Sequence, residues 1–168
     1  IIIAKSLRRQ GFSGIGLKWP NDIVATGNKK CGGILIEVSG EANADISAVI
    51  GVGLNIRMPV HSAEKIDQPW TDLHQQAGGK AVSRNHVLIE LLNELLTGLQ
   101  SFEEMGPADF LVHWPEYDML LNQEVKLIDG QQTQTGKVLG INEHGALRLQ
   151  QGGIERHYHS GEISVRLL

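Results

Sequence analysis

The chain has 168 residues, a formal net charge of −4 and one cysteine, Cys31. The weak acidity excludes a chain-wide basic field that would bind nucleic acid, and the single cysteine excludes an intramolecular disulfide framework or a cysteine-based zinc site. No apolar run approaches the roughly 18 residues that a membrane-spanning helix needs, so we expect a cytoplasmic protein without membrane contact. We expect no nucleic-acid contact from these 168 residues, and an upstream DNA-binding domain in a longer protein stays open.

The first predicted element is the end of a helix. Ile3 and Leu7 share one face, Arg8 and Arg9 lie near its negative end, and Gly11 is its stop. Because the chain begins without methionine, on a segment patterned like the second half of a helix, we expect it to be part of a longer protein.

Two strands are predicted next. The run GILIEV alternates between two faces, as a strand does, and so does the later run AVIGVGLNI. In the second run Ile50, Val52, Leu54 and Ile56 share one face, and the opposite face carries Val49, Gly51, Gly53 and Asn55. A face without side chains suits either close packing of another element or a slot for a ligand.

Helices are predicted in the middle of the chain. Residues 58–70 have no clear period and are interpreted as a loop, and TDLHQQAG as a short helix. A long helix is predicted after Ser83, because leucines recur at spacings of three and four until the MGP sequence ends it. A second, shorter helix is expected up to Pro115.

From residue 124 the pattern changes to five short strands separated by glycine-bearing turns. The predicted strands are EVKLI, TGKVLGI, ALRLQ, IERHYH and ISVRL. Their regular spacing predicts a small, closed or nearly closed, SH3-like barrel. The predicted fold class is therefore α+β, with a first domain at residues 1–116 and the barrel at residues 117–168.

The stretch KWPND, residues 18–22, has three interpretations. In the first, proline and the Asx side chains form a turn. In the second, Asn21 and Asp22 hold magnesium or nucleotide phosphate, since oxygen ligands suit that ion. In the third, Trp19 is simply a large core residue.

The basic pair Lys29 and Lys30 lies at the entrance of the first strand. Such a pair can be a solvated surface feature. Here it precedes Gly32 and Gly33, so a cation stands beside backbone that a ligand can approach closely. Two neighbouring strands that both lose side chains near a lysine favour a ligand slot over close packing.

Other possible sites are weaker. No GxxxxGK[ST] sequence occurs, so GNKKCGG is not a P-loop. His157 and His159 share a strand face but have no evident third ligand, and we interpret them as surface residues. Cys31 has no evident base partner and is interpreted as a small core residue.

The blocks KWPNDI, KCGGILIEV and VIGVGLNI resemble, in order and spacing, the catalytic core of biotin protein ligases, also called holocarboxylase synthetases. The tail from about 117 to 167, with VKLIDG, GALRLQ and SGEISVRL, resembles the C-terminal barrel of the bacterial bifunctional ligase-repressors. The resemblance covers nearly the whole chain, most weakly residues 58–83. It implies a biotin/lipoate ligase-like mixed sheet with helices, followed by an SH3-like barrel.

The resemblance implies an enzyme that joins biotin and ATP into biotinyl-5'-adenylate and passes the biotinyl group to a lysine of the biotin carboxyl carrier domain of acetyl-CoA carboxylase. ATP and magnesium are the implied cofactors, and a homodimer through the edge near GILIEVSG is the implied assembly. A lipoate protein ligase and a non-enzymatic biotin-sensing domain of a repressor stay open as alternatives. The family's arginine- and glycine-rich adenylate loop is absent from these 168 residues, so we expect the chain alone to be inactive or poorly active.

The resemblance also assigns individual residues. The catalytic cation is Lys30, by match to the family's K-x-x-G block, and it cancels repulsion between the biotin carboxylate and the α-phosphate. The implied biotin slot comprises Lys30, Gly32, Gly33, Leu35, Gly51, Gly53 and Leu54. The implied nucleotide site comprises Asn21, Asp22, Asn55 and Trp70, with Asn21 and Asp22 also as magnesium ligands.

Overall fold

The structure, a computed structural model, describes residues 1–40, 47–59, 66, 68–130, 132–160 and 163–168. Its helices are α1 (Ile2–Arg9), α2 (Leu73–Gln76), α3 (Arg84–Met105), α4 (Ala108–Leu111) and α5 (Trp114–Tyr117). Its strands are β1 (Gly16–Lys18), β2 (Asp22–Ala25), β3 (Lys29–Ser39), β4 (Ser47–Leu54), β5 (Glu124–Asp129), β6 (Gln132–Ile141), β7 (Leu147–Gln151), β8 (Ile154–Tyr158) and β9 (Ile163–Leu167). The predicted α+β class is confirmed. The loop predicted at residues 58–70 lies largely outside the described residues.

The first sheet is antiparallel, with strand order β1-β2-β3-β4. Its register aligns one residue from each strand in a row across the sheet: Lys18, Asp22, Gly33 and Gly53. The adjacent row contains Leu17, Ile23, Gly32 and Leu54. Because successive side chains on a strand point to opposite faces, these two rows belong to opposite faces of the sheet.

The face that carries Leu17 and Ile23 packs on helices. Ile3 and Leu7 of α1 and Val87 of α3 are buried in the same core as these strand residues. Ser83 caps α3, because its side-chain oxygen accepts a hydrogen bond from the backbone N–H of His86 at 3.3 Å. The cap and the apolar spacing place α3 as predicted, although several of its apolar side chains stay half exposed: Leu88, Leu92, Leu99 and Phe102.

The segment after α3 differs from the prediction. Instead of one helix up to Pro115 there are two single-turn helices, α4 and α5, and Pro115 lies in the first turn of α5. Proline is tolerated there because the first N–H groups of a helix have no intrahelical acceptor. Asp118 closes α5, since its carboxylate accepts hydrogen bonds from Trp114 Nε1 and from the backbone N–H of Leu120.

The second sheet contains all five predicted strands, in the order β8-β7-β6-β5-β9. No hydrogen-bonded pairing joins β8 to β9 in the part of the chain that the structure describes, so the predicted barrel is not closed by backbone pairing. Its core is formed by alternate residues of the strands, among them Val125, Leu127, Val138 and Leu149.

Trp19 joins the two halves of the molecule. It lies between β1 and β2 but packs in the core of the second sheet, where it is 4% exposed. Its Nε1 donates a hydrogen bond to the carbonyl oxygen of Gly145 at 3.0 Å. Trp19 is therefore a core residue, and the core belongs to the other sheet. The division at residues 1–116 and 117–168 stays a prediction, since Tyr117 packs in the first core.

None of the helices in the described ranges is both long enough and apolar enough to cross a lipid bilayer.

Candidate functional site

Asp22, the first residue of β2, lies between two ammonium groups. Lys18 Nζ is 2.8 Å from Asp22 Oδ2, and Lys30 Nζ is 2.5 Å from Asp22 Oδ1. Burial alone would raise the pKa of Asp22, but hydrogen bonds and charge from the two lysines lower it below its ordinary value. The carboxylate therefore stays ionised, and the Lys18–Asp22–Lys30 triad has one net positive charge.

Lys30 reaches this face because of a β-bulge. Ile23 pairs with Gly32 and the next residue, Val24, pairs with Lys30, so Cys31 is the extra residue on β3. In a regular strand, residues 30 and 33 would point to opposite faces. The bulge reverses that parity, so that Lys30 Cε lies 3.9 Å from the position of a Cβ on Gly33. Lys29, which pairs with Ala25, is exposed at the strand entrance.

The face next to Lys30 is bare. Gly33 pairs with Gly53, and Leu35 pairs with Gly51. A Cβ added at any of the three glycines would meet no atom closer than 3.6 Å, and the Leu35 side chain is 61% exposed. Four of the predicted biotin residues thus form one open surface, here called the bare face: Gly33, Leu35, Gly51 and Gly53.

Gly32 and Leu54 do not belong to the bare face. They pair with each other in the adjacent row, and Leu54 packs against the first core. A Cβ on Gly32 would clash with the backbone oxygen of Gly53 and lie 2.8 Å from Leu54 Cδ2. The prediction that put these two with the other biotin residues is not matched by the geometry, because their positions have the opposite parity along the strands. Their side-chain positions face the core.

The backbone of Lys30 also fixes the segment before α2. The N–H of Lys30 donates to Pro69 O at 2.8 Å, and the N–H of Thr71 donates to Lys30 O at 2.9 Å, so Trp70 lies opposite Lys30. Asn55 Nδ2 donates to Thr71 O at 3.1 Å. The structure thus brings Asn55 and Trp70, two of the predicted nucleotide residues, to the strand end that carries Lys30.

Asp72 holds this segment in place and was missed by sequence reasoning. It is almost fully buried, and its Oδ1 accepts a hydrogen bond from the N–H of Gln75 as the cap of α2. Its Oδ2 accepts a hydrogen bond from the N–H of Met58, and both of these hydrogen bonds are 2.8 Å long. An aspartate directly before a short helical pattern is an N-cap signal that the sequence did contain.

Lys18 is the second residue that sequence reasoning missed. Besides pairing with Asp22, its Nζ donates to the carbonyl oxygen of Val165 in β9 at 3.3 Å. The signal available was its place in KWPND, but only the β1–β2 pairing shows that it faces the carboxylate.

Magnesium does not fit the predicted ligands well. Both oxygens of Asp22 already accept ammonium groups, so the carboxylate could bind a metal only by giving up a lysine. The Asn21 side chain is exposed, and it is the backbone carbonyl oxygen of Asn21 that accepts a hydrogen bond, from the N–H of Ile34 at 2.9 Å. We therefore assign no step to magnesium.

The remaining chemical groups have structural roles. Burial, reinforced by the charge of Asp72, raises the pKa of the Cys31 thiol to about 12, so the thiol is neutral in the core. His157 Nε2 lies 2.8 Å from Glu155 Oε1 on the exposed surface of β8, and His159 is exposed. Over the described ranges, no three His, Cys, Asp or Glu residues cluster as a metal site.

Two cavities are large enough to hold a small-molecule ligand. A cleft of about 490 Å³ beside the triad is lined by residues that include Lys18, Asn21, Asp22 and Leu35. A larger cavity, of about 630 Å³, lies between α1, α3 and α5 and mixes Lys5 and Arg9 with Glu94 and Asp109. The smaller cleft is lined by two residues of the triad and by Leu35 of the bare face, which makes it the better candidate site.

Known proteins resemble this chain in sequence and in fold. Residues 120–166 match the family described as "Biotin protein ligase C terminal domain". The chain is 37% identical over 166 residues to the "Bifunctional ligase/repressor BirA" of Escherichia coli (strain K12), covering 99% of this chain and 51% of that protein. The predicted resemblance to the biotin protein ligases is confirmed.

Two further relatives extend the match. The chain is 32% identical over 152 residues to the "Biotin--[acetyl-CoA-carboxylase] ligase" of Mycobacterium tuberculosis, covering 88% of this chain and 52% of that ligase. A solved "Biotin protein ligase from Aquifex aeolicus in complex with biotin and ATP" superimposes with a TM-score of 0.81 at 28% identity, covering 99% of this chain and 68% of that one. The chain thus spans about half the length of the curated relatives that it resembles.

Proposed function

We propose that the gene product containing this chain is a biotin protein ligase. It forms biotinyl-5'-adenylate from biotin and ATP and passes the biotinyl group to a lysine of a biotin carboxyl carrier domain. The observation that carries the proposal is the position of Lys30, whose side chain lies at the edge of the bare face and whose backbone pairs with the segment that holds Trp70. The printed names of the relatives support it, since one is a biotin ligase and one binds biotin and ATP.

The bare face suits the biotin rings. Those rings are thin and apolar with a urea group at one end, so backbone and small residues can pack closely on them. Gly33, Gly51 and Gly53 leave that space, and the exposed Leu35 offers an apolar contact at its border. We assign the rings to this face, and Gly32 and Leu54 to its support from behind.

Lys30 then meets the carboxylate of biotin. Attack of that carboxylate on the α-phosphorus of ATP joins two anions, and pyrophosphate leaves with the electron pair of the broken bond. A cation between the two anions cancels repulsion that would be large in a poorly solvated site. We assign Asn55 and Trp70 to the nucleotide. Trp70 pairs with the backbone of Lys30, and the Asn55 side chain donates to the carbonyl oxygen of the next residue, Thr71. Asn21 and Asp22 border the cleft, with Asp22 acting through the lysines.

The test is biotin-dependent exchange of labelled pyrophosphate into ATP by the gene product. We expect exchange with biotin and none with lipoate. Exchange with lipoate instead would support a lipoate ligase, and biotin binding without exchange would support a non-enzymatic biotin sensor. The same assay on the 168-residue chain should give little exchange, and robust exchange would contradict our prediction that the chain alone is poorly active.

We also propose a homodimer through the β3 edge. Beyond Ile34, strand β3 has no described partner on the side opposite β4, because β2 pairs only with residues 29–33. Ile36 and Val38 are more than half exposed there. Sedimentation of the gene product with biotin and ATP should show a dimer, and a monomer at high micromolar concentration would contradict the proposal.

The site of action is proposed on general grounds. An enzyme that consumes ATP and modifies a carboxylase suits the cytoplasm, and a net charge of −4 gives this chain no general affinity for nucleic acid.

A further inference from the structure

Lys18 is a charged residue beside the candidate site that has no role of its own in the proposed reaction. Its side chain is only 12% exposed, and the side chain of Asp22, with which it pairs, is 11% exposed, whereas that of Lys30 is 35% exposed. The charges of Lys18 and Asp22 are therefore better shielded from water than the Lys30 ammonium group, which lies beside Gly33 of the bare face. Charges that are shielded in this way influence their neighbours more strongly than exposed ones do.

Asp22 on its own would work against Lys30. Its Oδ1 is 2.5 Å from Lys30 Nζ, so a carboxylate without another partner would cancel the charge that an incoming anion meets. Lys18 neutralises the same carboxylate at its other oxygen, Oδ2. With Lys18 present, Asp22 can orient Lys30 and the triad still keeps one positive charge.

We propose that Lys18 is a positioning residue that neutralises Asp22, so that the charge of Lys30 remains available to the anionic groups of the substrates. This inference deepens the proposed ligase function and rests on it for the identity of those substrates. In this role, the Lys18–Asp22 ion pair holds the Lys30 side chain in place, and the triad keeps one net positive charge.

A purely structural role is the competing explanation. Lys18 Nζ also donates to Val165 O, and so ties β1 to β9. If that tie were its whole purpose, removing it would affect charged and neutral ligands alike. A comparison of biotin with biotinol, the neutral alcohol made by reducing its carboxylate, therefore separates the two roles.

The first experiment measures both affinities by calorimetry in the gene product. Lys18→Met should weaken biotin about tenfold, the size expected of one charge acting over several ångströms at an effective dielectric constant of about 20. Biotinol should stay within about twofold. Lys29→Met is the matched control, since Lys29 is exposed at the strand entrance, and it should change neither affinity. Equal weakening of biotin and biotinol, or unchanged biotin affinity, would overturn the proposal.

The second experiment restores the charge balance. The double variant Lys18→Met/Asp22→Asn again has one net positive charge, so its biotin affinity should return to within about threefold of the wild type. Lys18→Arg keeps the charge in another shape and should keep the wild-type ratio of biotin to biotinol affinity, which also covers the case in which Lys18→Met does not fold. No recovery in the double variant, or a ratio lost in Lys18→Arg, would refute the charge role.

Inorganic pyrophosphate serves as a probe that does not depend on the proposed function. If the wild type binds no biotin, the ligase proposal fails, but pyrophosphate should still bind more weakly to Lys18→Met than to the wild type or the double variant. The absence of that order, or of any pyrophosphate binding by the wild type, would overturn the inference about Lys18.

Discussion

Each of the two sheets holds a carboxylate between two nitrogen-bearing side chains, with different consequences. On the first sheet, Asp22 lies between Lys18 and Lys30 in a row that ends in glycines. On the second, Glu155 of β8 accepts hydrogen bonds from Arg148, at 2.7 and 3.1 Å, and contacts His157. Both carboxylates have a lowered pKa and both clusters have a residue that lines a cavity, but the Asp22 row continues into Gly33 and Gly53, which leave the sheet face open.

The surroundings decide the difference. The Arg148 and Glu155 side chains are each more than a third exposed, so water and salt screen their attraction. Lys18 and Asp22 of the first cluster are shielded, and the adjacent strands have glycines at three positions of the same face: Gly33, Gly51 and Gly53. The Arg148–Glu155 ion pair links two neighbouring strands. The ion pairs of Asp22, in contrast, orient the ammonium group of Lys30 beside the bare face.

We expect Lys30→Ala to have the largest effect on the first sheet's ion cluster. Removing the cation that meets the developing charge should lower biotin-dependent pyrophosphate exchange about a hundredfold or more, as loss of one preorganised donor commonly does. Lys29→Ala, the matched control, should stay within about twofold, since Lys29 is exposed at the strand entrance. Loss of exchange in Lys29→Ala but not in Lys30→Ala would show that Lys29 is the catalytic cation and that our assignment of Lys30 is wrong.

Trp19→Ala tests whether the two sheets depend on each other. Trp19 fills the second core from a turn of the first sheet, so truncating it should lower the free energy of unfolding by about 3 kcal/mol. Urea unfolding followed by circular dichroism measures this change. Trp70→Ala is the control, because Trp70 is only partly buried; it should mainly raise the KM for ATP. Equal losses of stability in both variants would contradict the distinction.

The sequence predicted the strands and the bare face because both depend on alternation, a local pattern. Gly51 and Gly53 could be assigned to one face of their strand by counting in twos. The same counting assigns Lys30 and Gly33 to opposite faces, and only the resemblance to a family selected Lys30. The bulge at Cys31 that brings them together depends on how β2 pairs with β3, which no single strand encodes.

Long-range pairing also explains the other differences. Trp19 could be recognised as a core residue, but its core is built from strands more than a hundred residues later. Lys18 belongs to the KWPND stretch, but only the β1–β2 register shows that it lies opposite Asp22. Sequence patterns thus found the side chains that matter on each strand and missed the partners that they meet.

The two rows of the first sheet provide the next test. Gly32→Ala places a Cβ against the backbone oxygen of Gly53, which cannot move cheaply, and should cost about 2 kcal/mol of stability. Gly53→Ala meets nothing closer than 3.9 Å and should leave stability within about 0.5 kcal/mol, yet weaken biotin binding, because its Cβ enters the bare face. Calorimetry and urea unfolding on both variants separate the effects. A stability loss at Gly53 without weaker binding would argue that this face is a packing surface.

Glu155→Gln should have the smallest effect, and that effect should depend on pH. Hydrogen bonds from Arg148 and then from His157 lower the pKa of Glu155 from 4.5 to about 2. A carboxyl with a lowered pKa stabilises the fold above its unfolded value, and the stabilisation is lost as the pH falls from about 4.5 towards 2. The urea midpoints of wild type and Glu155→Gln should therefore differ slightly near pH 6, differ less near pH 3 and converge near pH 2, with pyrophosphate exchange unchanged at neutral pH. A gap that widens in acid would reverse the sign of this contribution, and reduced exchange would mean that the second sheet's ion cluster acts on the site as the first one does.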